Sequence, residues 1–179
     1  MTNLPERTRT AAFILRIATL AGTALVAGAT LWAVYRHQDL AQYRVADLAI
    51  PASDWDIGRL ATALLQASAM AEGLVILAVL WFTASLLKQY QNNTALSEQA
   101  ARAIRNIGFG TLALAAVQIL RQPLDTFALT LDAPEGQRMI SLGFGTGELG
   151  TVIGGGIMLL IGAVMMQAVS ISQENQEFV

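Results

Sequence analysis

Four long stretches of this chain are almost free of charge, and nothing else in it restricts the possible fold so strongly. In hydrocarbon a backbone amide has no water to bond to, so a spanning segment must satisfy its own N–H and C=O groups, as a helix does. About 20 apolar residues suffice to cross at a rise of ~1.5 Å per residue. From Ile17 to Tyr35 no residue is charged, and the run reaches back to Ala11 if Arg16 carries its guanidinium to the interface. Leu60 to Leu87 contains one charge, Glu72, and Leu149 to Gln173 contains none. The stretch from Asn106 to Leu120 is bracketed by Arg105 and Arg121, is short for a span, and must draw on its flanks.

These runs predict spans over about 11–35, 60–87, 105–124 and 148–172, within a single four-helix membrane domain covering 1–179. The fold class expected is therefore an all-α integral membrane protein, a four-transmembrane-helix bundle. Composition agrees: 13% of residues are charged and 54% hydrophobic, against about 25% charged in soluble domains. A secretory signal peptide competes for the first run, because arginines precede it and Ala27, Gly28 and Ala29 are small. The run exceeds the ~7–15 apolar residues of a signal core, which favours a retained span. Trp32 and Tyr35 are placed for an interfacial aromatic belt, and the second run closes with Trp81, Phe82 and then Lys88.

Orientation follows from the basic residues. Arg7, Arg9, Arg16, Lys88, Arg102 and Arg105 crowd into a short tail and a short loop on one side; Arg36, Arg44, Arg59, Arg121 and Arg138 fall on the other. The positive-inside rule then places both termini in the cytoplasm. Arg102 and Arg105 are expected to contact anionic lipid head groups.

In the connections, Asn92 and Asn93 mark a turn and Ser97 is a candidate helix cap, followed by Glu98 in the first turn where a negative charge suits the helix dipole. Ser53 or Asp54 is a candidate cap for the second span, with Trp55 an interfacial anchor. Between the third and fourth spans, Thr126–Leu131 and Arg138–Phe144 flank a turn made by Asp132, Ala133, Pro134, Glu135 and Gly136. Their partial alternation predicts a small external β-hairpin, against which stands Pro123 as the mark of an irregular loop. In the fourth span, Gly150 and Gly154 have the spacing that lets two helix backbones approach closely, and Gly155 and Gly156 follow.

A charge at the centre of an inserted helix costs roughly 2.5–3.5 kcal/mol, so Glu72 calls for a partner. It lies ~22 Å from the inner end of the second span, and Arg121 lies ~24 Å from the inner end of the third. The two opposite charges are expected to pair across antiparallel helices, with Gln118 one turn from Arg121 on the same face. Such a pair fixes helix register; a proton relay or polar ligand site is the functional alternative. No second carboxylate is placed near that depth, since Glu148 belongs at the outer edge.

Chemistry is otherwise sparse. The absence of cysteine removes thiolate chemistry, and the lone histidine, His37, cannot build a multi-histidine metal site. The glycines from Gly143 to Gly147 lack the basic residue of a phosphate loop. No catalytic, cofactor-binding or metal site is expected, nor nucleic acid as a partner. Membrane lipid and other membrane subunits, or self-association, are the expected partners.

Leu86 to Tyr90, Leu96-Ser97 and Ala101 to Gly108 resemble the inner loop of the bacterial membrane family catalogued as domain of unknown function 2975, and Gly156 to Leu160 through Ser172 to Val179 are similar to its last helix and acidic tail. The chain departs from that pattern at Leu96, where family members usually carry Phe, and at Gln173, where they carry a second acid. The resemblance implies four membrane helices in bacteria, often encoded beside small helix-turn-helix regulators, and supplies no catalytic residue. The leading expectation is a non-enzymatic interaction or regulatory protein, an accessory subunit of a larger complex. The alternatives are a small proton-coupled transporter using Glu72 and Arg121, and a lipid- or quinone-binding membrane protein.

Overall fold

The computed structural model describes residues 5–48, 50, 57–94, 96–134 and 136–177. Its elements are helices: α1 (Glu6–Tyr35), α2 (His37–Asp47), α3 (Arg59–Gln91), α4 (Glu98–Leu129) and α5 (Thr146–Glu177). Four of them, all but α2, are long and apolar enough to cross a membrane. They present large apolar side chains outward, among them Ile14, Leu25, Leu31, Trp81 and Leu160. In water so wide an apolar surface is a liability, whereas lipid covers it at no cost. The chain is a membrane protein.

Consecutive long helices are antiparallel. Gln91 at the end of α3 donates to the carbonyl of Ala12 near the start of α1, while Gln66 near the start of α3 donates to the carbonyl of Val34 at the end of α1. Gly58, just before α3, donates its N–H to Asp132 beyond α4, and the turn from α3 to α4 closes the opposite end. The start of α1 and the end of α5 therefore share one end of the molecule, here the termini end. The end carrying α2 and the longer connections is the loop end.

The arrangement differs from the bundle expected. α1 packs on α3, α3 on α4 and α4 on α5, and among the described residues α1 and α5 do not touch. The helices form an open row in chain order. Each long helix packs on the long helix before it in the chain, and among the described residues no packing between the first and the last brings the row to closure.

Close approach of α4 and α5 explains why that pair is held along its length. A side chain on Gly108 would begin 2.6 Å from the backbone nitrogen of Leu159, and one on Gly155 would begin 3.0 Å from Leu112. The helix backbones thus meet through Gly108 and Gly155. Gly150 and Gly154, the pair expected at a helix contact, have open space beside them. One residue of an α-helix turns through about 100°, so the step from Gly154 to Gly155 moves from the outward face to the buried one.

At the termini end, Ser97 caps α4 by accepting the Ala100 N–H at 3.2 Å, with Glu98 in the first turn. Asn93 takes the left-handed conformation (φ 58°) in the preceding turn, which asparagine tolerates better than most residues. At the loop end, α3 starts later than a cap at Ser53 or Asp54 would set it: Gly58 occupies the cap position, and Asp132 accepts its N–H at 2.9 Å. Ser53, Asp54 and Trp55 lie outside the described residues.

The expected β-hairpin is absent among the described residues. Its first half, Thr126–Leu131, belongs mainly to α4, which runs through Pro123 to Leu129. Proline removes one helical hydrogen bond, yet the helix continues. The Thr126 hydroxyl caps the carbonyls of Gln122 and Pro123, and the Thr130 hydroxyl takes that of Thr126. The second half is a non-helical strip laid along α4. Met139 N–H donates to the Thr130 hydroxyl at 3.2 Å and Ser141 N–H to the Thr126 hydroxyl at 3.0 Å. Alternation in the sequence thus reports a strip with one apolar face, bonded to threonine side chains of a helix instead of to a second strand.

Candidate functional site

The polar residues near the loop end come from three helices. On α3, Ser68 and Glu72 are one turn apart; on α4, Gln118, Arg121 and Asp125 recur at the spacing that keeps them on one face. α2 contributes Arg44 and Asp47. α3 and α4 face each other along this stripe, and α2 lies across its end, where Leu40, Ala41 and Ile50 join Leu65, Ala128 and Leu129 in a buried apolar cluster.

Arg121 Nη1 donates to Glu72 Oε2, and Gln118 Nε2 lies 3.4 Å from Glu72 Oε1. The three residues singled out from the sequence, Glu72, Arg121 and Gln118, thus meet between α3 and α4. The site extends beyond them. Arg121 Nε also donates to Asp125 Oδ2 at 3.2 Å. Asp125 is the most enclosed member, with its side chain 1% exposed. Its Oδ2 accepts from Arg44 Nε and Nη2, each at 2.7 Å, and its Oδ1 accepts from the Ser68 hydroxyl at 2.6 Å. Arg44 Nη1 reaches Asp47 Oδ2 at 2.5 Å on the exposed side.

The charges alternate through space as Glu72, Arg121, Asp125, Arg44 and Asp47. The inner four sum to zero, so the low-dielectric region between the helices carries no net charge. Every carboxylate oxygen of Glu72 and Asp125 has a donor, and each arginine bridges two carboxylates. Removing one member of such a buried set strands another and costs about 3–5 kcal/mol, whereas replacing a whole pair by apolar groups is often near neutral.

Sequence reasoning missed Asp125, Arg44 and Ser68. Ending the third span near Pro123 assigned Asp125 to an outer loop, and with it went the second carboxylate that seemed lacking at this depth. The signal was present: Asp125 follows Arg121 by one turn, as Glu72 follows Ser68. Arg44 left no such trace, because its partner is 81 positions away. Elsewhere, Gln66 satisfies the Val34 carbonyl at 2.7 Å. Among the described residues no group of His, Asp and Glu is disposed to hold a metal ion.

No curated protein and no solved structure matches the chain. Over residues 35–179, from the end of α1 through the network-bearing helices to α5, the sequence matches a family model, and the chain belongs to that family, described as Protein of unknown function (DUF2975).

Proposed function

We propose that this chain is a non-enzymatic interaction or regulatory protein of the bacterial inner membrane, an accessory subunit of a larger assembly, with both termini in the cytoplasm. The observation that carries this reading is the closure of the ion-pair network on itself. Its buried charges are spent on one another across α2, α3 and α4. A network of this kind sets helix register and fixes α2 over the loop end; it turns no unpaired charge toward a solute. The open row adds a second support, since α1 and α5 each keep a flank that no other helix among the described residues covers. On α5 that flank includes Gly150 and Gly154, whose small size favours close packing of another membrane helix.

Gentle solubilisation of native membranes, followed by size analysis and identification of the associated subunits, tests the proposal. A discrete complex of fixed stoichiometry is expected, and Gly154→Leu should release the chain from it while leaving its own helices folded. A chain that is monomeric in native membranes under crosslinking, with no fixed partner, would overturn it.

One observation favours the transporter as a second reading. Asp125 puts a second carboxylate on the far side of Arg121 from Glu72, so the geometry offers two proton-accepting groups bridged by one guanidinium. Proteoliposomes decide the matter: proton-coupled solute flux that disappears in Glu72→Gln would establish this reading, and equal background flux in both proteins would remove it.

A further inference from the structure

We propose that the cleft between the first turns of α1 and the end of α3 binds the head group of an aminophospholipid, a phosphodiester carrying a primary ammonium. The cleft has a volume of about 470 Å³ and is lined by Glu6, Arg9, Thr10 and Phe13 of α1 and by Gln91 and Asn92 at the end of α3. The four α1 residues recur at three- and four-residue steps, which puts them on one face of the helix. That face is turned toward the α3 terminus by a fixed bridge. Gln91 Nε2 donates to the Ala12 carbonyl at 3.3 Å, and Gln91 Oε1 accepts from Arg16 Nη1 at 2.9 Å.

The groups in the cleft are chemically complementary to both charges of such a head group. Glu6 and Arg9 make no ion pair with each other or with any other described residue, so a carboxylate and a guanidinium stand side by side uncommitted. A guanidinium matches two phosphate oxygens at once, and a carboxylate accepts hydrogen bonds from an ammonium. The Asn92 side chain adds an amide donor, and the Thr10 hydroxyl, donating to the Glu6 carbonyl at 3.0 Å, keeps its lone pairs to accept. Arg16 leaves its buried Nε unbonded next to Gln91, a further unused donor behind the cleft wall.

Position selects a lipid as the source of this chemistry. Arg16 is the last charge before the uncharged run of α1, so the cleft, one to three turns earlier, lies at head-group level. Phe13 is 55% exposed on its wall, and Ile14 and Ile17 continue the apolar surface toward the hydrocarbon. A glycerol phosphate would leave Glu6 without a cation. A quaternary ammonium would give it no N–H to accept.

The test uses the full chain in nanodiscs made from equal parts of phosphatidylethanolamine, phosphatidylcholine and phosphatidylglycerol with identical acyl chains. Native mass spectrometry after stepwise delipidation reads which lipid stays. One phosphatidylethanolamine is expected to be retained several-fold over the other two. Glu6→Gln should abolish its preference over phosphatidylcholine, and Arg9→Gln should reduce retention of all three, with circular dichroism unchanged in both because the two side chains are exposed. No preference in the unaltered chain, or a preference that survives both substitutions, would overturn the proposal. Free phosphoethanolamine that binds as tightly as the lipid would also overturn it, by making a soluble phosphate ester the ligand.

Discussion

Asp125 shows at residue scale how a charge survives between membrane helices. Its two oxygens take donors from Arg44, Ser68 and Arg121, and its side chain is 1% exposed. Asp125→Asn would keep the shape and lose the charge, leaving Arg44 and Arg121 facing each other with one carboxylate fewer between them. We expect a loss of about 3–5 kcal/mol, read as a lowered thermal midpoint in nanodiscs. Ser68→Ala removes a single hydrogen bond to the same carboxylate and should cost only about 1.5–3 kcal/mol. Glu72, 19% exposed and reached by one arginine and one distant amide, should lie between them on substitution by Gln. The pairing of Glu72 with Arg121 was legible in the sequence because both stand out in uncharged runs at matching depth. Asp125 was not, because a proline two residues earlier reads as the end of a helix, whereas α4 runs through it to Leu129.

The lesson at the scale of elements is one of facing. The sequence told that small residues cluster in α5, but which of them meet a neighbour depends on helix rotation, and a one-residue difference decides it. Gly155 rests on Leu112, and Gly150 rests on nothing among the described residues. Gly155→Leu is therefore expected to unseat α5 from α4 and lower the midpoint strongly, while Gly150→Leu leaves the isolated chain's midpoint within error. Equal effects of the two substitutions in the purified monomer would contradict the helix facing described here. The strip from 138 to 144 makes a related point. Partial alternation predicted a β-hairpin, and two hydroxyls of a helix supply the bonds that a second strand was expected to supply.

For the whole molecule, the number of long helices and their order were legible from hydropathy alone, because each crossing requires an uncharged run of fixed minimum length. The open row was not legible: nothing in a list of apolar runs says whether the first packs on the last. α2 was hidden for a similar reason, being short, polar in composition and held by Arg44 and a small apolar cluster instead of by length. With no cysteine in the chain, orientation is open to single-cysteine labelling. Cysteine placed at Arg138 should react with an impermeant reagent in intact cells, and cysteine at Ser172 only after permeabilisation. The reverse pattern would invert the proposed orientation and leave the antiparallel packing untouched.

The intramembrane charges act as one mutually neutralising unit. A double-mutant cycle on Glu72→Gln and Arg121→Gln, read as thermal midpoints in nanodiscs of fixed lipid composition, tests that claim directly. Each single substitution is expected to be destabilising, and the double mutant to lose clearly less than the two losses added together, because the second change removes the charge that the first had stranded. Strict additivity would contradict it.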